Sequence, residues 1–224
     1  MISPIVHNIT TVCALTAFLS SDIVPDALNT CPKSAAKVIF PTGVSAQLGN
    51  IVIPHRVREQ PTITWNASDD SLYTLGMMDM DVYSRKFHIF RQELHWIVMN
   101  IPGTNVSAGD LVREFLPSLP IFGGGYHRYL FVIYKQAGRV KAPELDSCII
   151  SSFAFDWSEF VSKYQLGDPI AANFYYAKWE QVYNDSWILA HLKHLIDQCA
   201  DQRKPIQTAQ QEIRNIIKNL MTSY

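Results

Sequence analysis

Two aspartates, Asp79 and Asp81, stand two residues apart at the end of an extended apolar run beginning at Leu72, and His95 lies inside a second such run. Side chains two apart on a strand share a face, so the two carboxylates project together if strand geometry persists through Asp81. Paired carboxylates must be solvated, bonded to donors or set against a cation; a DxD pair alone is as readily a solvated loop pair. An imidazole within an apolar strand likewise has to find a hydrogen-bond partner, and a satisfied core histidine accounts for His95 taken alone. Gly123-Gly124-Gly125 precedes His127. Glycines let the backbone approach a ligand closely and turn N–H groups towards it, the outline of an anion site, although a triple glycine is more often a flexible turn. No P-loop Lys-Ser/Thr follows, and GxSxG is absent. Carboxylates and imidazoles suit several divalent ions, but the spacing matches no zinc signature, and no Ser or Cys stands beside either histidine to be activated.

Composition narrows the classes. The chain has 224 residues, 48% of them apolar, enough for one sizeable core. Charged residues are only 17%, with 19 basic against 20 acidic side chains and no basic run longer than Arg85-Lys86. Nucleic-acid binding through a basic patch is therefore not expected. Cys13, Cys31, Cys148 and Cys199 are far apart and show no CxxC pair, so reduced thiols are expected rather than a disulfide framework. Thr10 to Ser20 is moderately apolar, yet no Lys or Arg precedes Lys33, which favours the cytoplasm over a secretory leader. Sequons at Asn8, Asn66, Asn105 and Asn184 keep secretion as the alternative. No stretch has the roughly eighteen apolar residues of a membrane span.

The elements that must position these residues are mostly strands. Ala35 to Phe40, Asn50 to Pro54, Pro61 to Trp65 and Leu72 to Met80 read as extended, punctuated by Pro41, Gly43, Gly49 and Pro54. Leu94 to Ile101 and Arg128 to Tyr134 are apolar on both alternation faces, as expected of central strands covered on two sides. Helical periodicity enters at Ser158 to Tyr164 and again from Trp187, where Ile188, Leu192, Leu195 and Cys199 share a face; a second amphipathic stretch follows Pro205. A helix packed on its own domain and a partner-binding helix both explain that tail.

Taken together, these segments resemble the phosphatidylethanolamine-binding protein family, which includes the Raf kinase inhibitor proteins. The resemblance rests on Ile23-Val-Pro-Asp26, Gln60 to Trp65, Asp79-Met-Asp-Val-Tyr-Ser-Arg85, His95 to Gly103, Gly125 to Tyr129, Tyr134-Lys-Gln136, Leu166 to Asn173 and Ala177-Lys-Trp179. It covers roughly Phe18 to Tyr183 and implies a mainly β fold, a β-sandwich with peripheral helices, here followed by a C-terminal helical extension. The implied organisation is an N-terminal extension at 1–17, the family domain at 18–185 and a helical tail at 186–224. Carried over position by position, Asp79, Asp81, His95, Pro120, His127 and Tyr129 would wall a pocket for phosphate, phosphorylethanolamine or similar anions. Imidazoles and glycine N–H groups donate to phosphate oxygens, while carboxylates accept from an ammonium group or a histidine.

The chain departs from the family pattern around that pocket. Met80 stands between the aspartates in place of proline, Val82-Tyr83 replaces Ala-Pro, and Leu119-Pro120-Ile121 replaces Gly-Pro-Pro. The leading expectation is a non-enzymatic, monomeric module that binds a phospholipid headgroup or other small anion and modulates a kinase or protease partner, with no cofactor or metal. In the alternative, Tyr83, Leu119 and Ile121 close the pocket and only protein contacts remain. A third reading, a metal-dependent hydrolase built on Asp79, Asp81, His95 and His127, predicts stoichiometric metal.

Overall fold

The computed structural model describes residues 16–86, 91–145 and 149–180. The expected helical tail, most of the N-terminal extension, and Cys13, Cys148 and Cys199 lie outside the described residues. Among the described residues there are nine strands: β1 (Lys37–Ile39), β2 (Ser45–Ala46), β3 (Asn50–Ile51), β4 (Thr62–Thr64), β5 (Leu72–Asp79), β6 (Glu93–Pro102), β7 (Asp110–Arg113), β8 (Tyr126–Lys135) and β9 (Pro169–Lys178). They form a three-stranded sheet in the order β2-β1-β4 and a six-stranded sheet in the order β3-β9-β8-β5-β6-β7. The long strands pair antiparallel, and β3 joins β9 in parallel. The mainly β sandwich expected from the sequence is thus the observed fold.

The two-sided apolar runs of β6 and β8 are explained by two cores. On one face of the large sheet, Leu75, Met77, Trp96, Tyr129, Phe131 and Tyr175 meet Val38, Phe40, Ile63 and Trp65 from the small sheet. On the other face, Met78, Leu94, Ile97, Leu130 and Val132 are covered by Phe18, Ile23, Trp157 and Phe160. The helix α1 (Trp157–Lys163) is capped by Asp156, whose side chain accepts from the Glu159 N–H at 2.8 Å. Its Trp157 ring packs against Gly76 of β5, where a Cβ would come within 2.1 Å of the indole.

Several expectations are adjusted. The segment Asn50 to Pro54 is extended only over Asn50–Ile51, and Pro54 then opens a tight helical turn, Pro54–Val57, as its fixed φ allows. The strands β2, β7 and β9 add to those read from the sequence. β9 is anchored by Asn173: its amide donates to the carbonyls of Ala36 and Ala46, and its oxygen accepts from the Leu48 N–H. One buried asparagine thereby ties the large sheet to the first strands of the small one.

Candidate functional site

β5, β6 and β8 lie side by side, and their register sets the site. Asp79 is opposite Glu93 on one side and Tyr129 on the other. Residues directly opposite share a face, and His127 and Tyr175 follow, two residues along β8 and opposite Tyr129 on β9. His95 arrives by a different route. Met78 pairs with Leu94 and Met77 with Trp96, so His95 is the extra residue of a β-bulge. Bulges re-aim a side chain, and this one turns the imidazole onto the Tyr129 ring, edge to face at 5.4 Å. Leu116 holds it there: the Leu116 N–H donates to the His95 carbonyl at 2.7 Å, and His95 Nδ1 donates to the Leu116 carbonyl at 2.8 Å.

The imidazole of His127 is held by Asp79, with Nδ1 donating to Oδ2 at 2.7 Å, and stacks on Tyr129, which stacks in turn on Tyr175. The other Asp79 oxygen accepts from the Asp81 N–H at 2.7 Å. Beyond His95 Nδ1, the second ring nitrogen lies 3.4 Å from Glu93 Oε2. His95, His127 and Tyr129 are at most 1% exposed, yet His95 Nε2, His127 Nε2 and Tyr129 Oη have no hydrogen-bond partner among the described residues. Unsatisfied buried polar atoms are costly, about 1–3 kcal/mol each, and three of them border this one cluster.

The charge balance follows from burial and neighbours. Burial alone would lower both histidines; Glu93 and Asp79 outweigh it at His95, and Asp79, Asp81 and Glu93 at His127, so both are raised above the ordinary imidazole value. The Tyr129 hydroxyl is pushed well up by burial and by the carboxylates of Asp79 and Glu93.

The strand does not persist through Asp81, because β5 ends at Asp79. The chain bends at Met80, and the second carboxylate leaves the face of the first. Asp81 instead accepts from Arg128 through Nε and Nη2, both at 2.7 Å, from the Arg128 N–H at 3.0 Å, and from Arg91 at 3.1 Å. Burial acts to raise its pKa, but the two arginines outweigh it and the carboxyl is held below the ordinary value. Arg128 also donates to the carbonyls of Ser21 and Asp22 and to Asp26, clamping the N-terminal segment to β8.

The coil 114–121 crosses the site from Leu116 at His95, through Ser118, whose hydroxyl is bonded to that of Tyr175, to the glycines. Pro120 is buried along it and Leu119 half-buried. The Gly124 N–H donates to the Ile121 carbonyl rather than pointing into a pocket. A Cβ on Gly124 would lie 2.7 Å from His127 Nε2 and 2.6 Å from the Tyr83 carbonyl, so the glycine seats the loop directly on the imidazole. The structure therefore brings together Asp79, His95, His127 and Tyr129 of the expected residues, places Pro120 in the covering coil, and sets Asp81 against Arg128. Glu93 was missed; its one sequence signal was an acidic residue leading into an apolar strand.

A family model described as phosphatidylethanolamine-binding protein matches residues 42–176. A 26 kDa secreted antigen of Toxocara canis is 37% identical over 166 residues, 73% of this chain; the chain spans 63% of that relative's length, less than two thirds. Among solved structures, the CG7054 solution structure is 32% identical with a TM-score of 0.59, over 79% of this chain and 96% of that one. The carboxypeptidase Y inhibitor, crystallised with its cognate proteinase, shares the fold at 20% identity and a TM-score of 0.64, over 76% of this chain and 97% of that one. With the extent of the family match and the fold in agreement, the chain belongs to the phosphatidylethanolamine-binding protein family.

Proposed function

We propose that this protein is a non-catalytic binding module that takes a small anion, such as a phosphorylethanolamine-type headgroup, against Asp79, His95, His127 and Tyr129, and in doing so modulates a protein partner. The observation that carries this reading is the trio of buried polar atoms that make no hydrogen bond among the described residues, His95 Nε2, His127 Nε2 and Tyr129 Oη. Each can present a hydrogen to an anionic oxygen, and raised histidine pKa values favour the charged donor. Pro120 belongs to the covering wall, and Asp81 acts at one remove, through Arg128 and the backbone N–H it gives to Asp79. Of the partner classes, a protease has support from the inhibitor that shares this fold.

Calorimetric titration with phosphorylethanolamine and inorganic phosphate tests the reading. Saturable binding is expected, and His127→Ala should weaken it at least about tenfold, the loss of one charge-assisted bond. Unchanged affinity in that variant would sink the assignment.

A second reading, a pocket closed to ligand with function through protein contacts alone, is favoured by Gly124 resting on His127 and by the near-complete burial of the cluster. Absence of binding by the wild-type protein would select it.

The cytoplasm expected from the sequence has a competitor. A relative described as secreted is 37% identical, and the sequons at Asn66 and Asn105 are both exposed. No helix among the described residues is long and apolar enough to cross a membrane. A mass shift on glycosidase treatment of the natively expressed protein decides for the secretory route; an unshifted mass with both asparagines unmodified decides for the cytoplasm.

A further inference from the structure

Asp79, Glu93 and His95 each offer one ligand atom, and those atoms lie within 4.8 Å of one another. All three residues are buried, at 2%, 8% and 1% exposure. The Leu116 carbonyl can only accept, so His95 Nδ1 carries hydrogen and Nε2 is the nitrogen presented to the cluster. Nε2 has no hydrogen bond, and a carboxylate oxygen of Glu93 stands 3.4 Å away. A nitrogen lone pair and a carboxylate oxygen repel at that distance unless positive charge lies between them, either a proton on Nε2 or a metal ion in its place. The nearby guanidinium groups do not supply it, since Arg128 and Arg91 are committed to Asp81 and Asp26.

We propose that Asp79, Glu93 and His95 form a binding site for a divalent transition-metal ion. One imidazole and two carboxylates make a donor set of intermediate softness, suited to Zn²⁺, Mn²⁺ or Fe²⁺ and too poor in oxygen for Ca²⁺, which takes six to eight oxygen ligands. The surroundings match those of metal ligands elsewhere. The imidazole is oriented by a backbone carbonyl through its other nitrogen, and the Asp79 carboxylate is held by His127 and by the Asp81 N–H. Each carboxylate oxygen has a second lone pair, so these bonds leave room for a metal. The site differs from the metal set of a hydrolase built on Asp79, Asp81, His95 and His127: Glu93 enters, Asp81 is excluded by Arg128, and His127 serves as the orienting neighbour of Asp79.

The test uses the full-length protein stripped with a chelator, then titrated calorimetrically with Zn²⁺ and Mn²⁺ and read for stoichiometry by elemental analysis. One ion per chain is expected, with affinity falling more than about tenfold in both Glu93→Gln and His95→Gln while folding is retained by circular dichroism. Binding that neither substitution weakens would place the ion elsewhere and overturn the proposal, as would no binding at all. Should the variants fail to fold, wild-type crystals soaked in Zn²⁺ decide: an anomalous peak among these three side chains supports the site, and peaks only elsewhere overturn it. Phosphorylethanolamine titration in chelator keeps the two readings separate, because anion binding that persists there stands even if no metal is found.

Discussion

Arg128 and Asp81 meet as a two-pronged pair, Nε to Oδ2 and Nη2 to Oδ1, both at 2.7 Å and both side chains fully buried. The pair lies on the face of β8 opposite His127, since neighbouring strand residues point to opposite sides. Two aspartates separated by one residue thus serve two jobs: Asp79 organises the imidazole cluster, and Asp81 anchors the buried guanidinium that holds the N-terminal segment.

Removing the charge of Asp81 should unfold the domain more readily than removing either imidazole of the cluster. In Asp81→Asn, Arg128 keeps its burial and loses its principal counter-charge, which costs about 3–5 kcal/mol. Chemical denaturation should show a midpoint shift of that size. A loss below about 1 kcal/mol would mean that Asp26 and the Ser21 and Asp22 carbonyls suffice to hold the guanidinium.

The contact between Gly76 and Trp157 predicts a second sensitive position, on the face of β5 opposite Asp79. Gly76→Ala drives a methyl group to within 2.1 Å of the indole, so α1 has to shift. Overpacking of this kind costs about 1–3 kcal/mol. Thermal unfolding should show the loss, and tryptophan fluorescence should report the altered packing; an unchanged melting temperature would mean that the helix glides without cost.

At Gly124 the expected effect is on accessibility. A side chain there cannot coexist with the present position of His127 Nε2, so Gly124→Ala should lift the loop and raise the reactivity of His127 towards an imidazole-acylating reagent. Peptide mapping by mass spectrometry reads the change. Equal modification in wild type and variant would show that the loop already leaves the imidazole open in solution.

Alkaline stability carries the signature of Tyr134. Burial raises its hydroxyl, the hydrogen bond from Trp157 Nε1 at 3.2 Å lowers it, Asp168 raises it, and the result is about 12 against an ordinary 10.0. The folded state therefore holds the proton more tightly than the unfolded state. The corresponding stability, about 3 kcal/mol, is present below pH 10 and lost as pH rises from about 10 through about 12. Tyr134→Phe should flatten the fall in unfolding free energy over that interval, and an equally steep fall would assign it to other groups.

The central strands were legible because burial on both faces leaves a simple trace: almost every residue of β6 and β8 is buried, and most are apolar. The motifs around Asp79, His95 and His127 marked their neighbourhood for the same reason, since polar groups inside such runs stand out. β9 was hidden because Pro169 and the small residues Ala171-Ala172-Asn173 have little strand preference of their own, and it is pairing with β8 and β3 that extends the segment. The division of labour between Asp79 and Asp81 was hidden too, because the partner that draws Asp81 away lies 47 residues along the chain. Glu93 looked like the polar lead-in to a strand; the register that sets it beside Asp79 is a property of the sheet.

The order of strands in the large sheet has a consequence for how the molecule is made. β9, the last described strand to be synthesised, lies between β3 and β8. Until Pro169–Lys178 has left the ribosome, β8 keeps an open hydrogen-bonding edge, and Tyr129 lacks the Tyr175 ring it stacks on. Open strand edges invite pairing with other chains, so a nascent polypeptide arrested before residue 169 is expected to recruit chaperones or aggregate. The imidazole cluster is consequently completed only once β9 has been made, and no product that stops before residue 169 carries it whole.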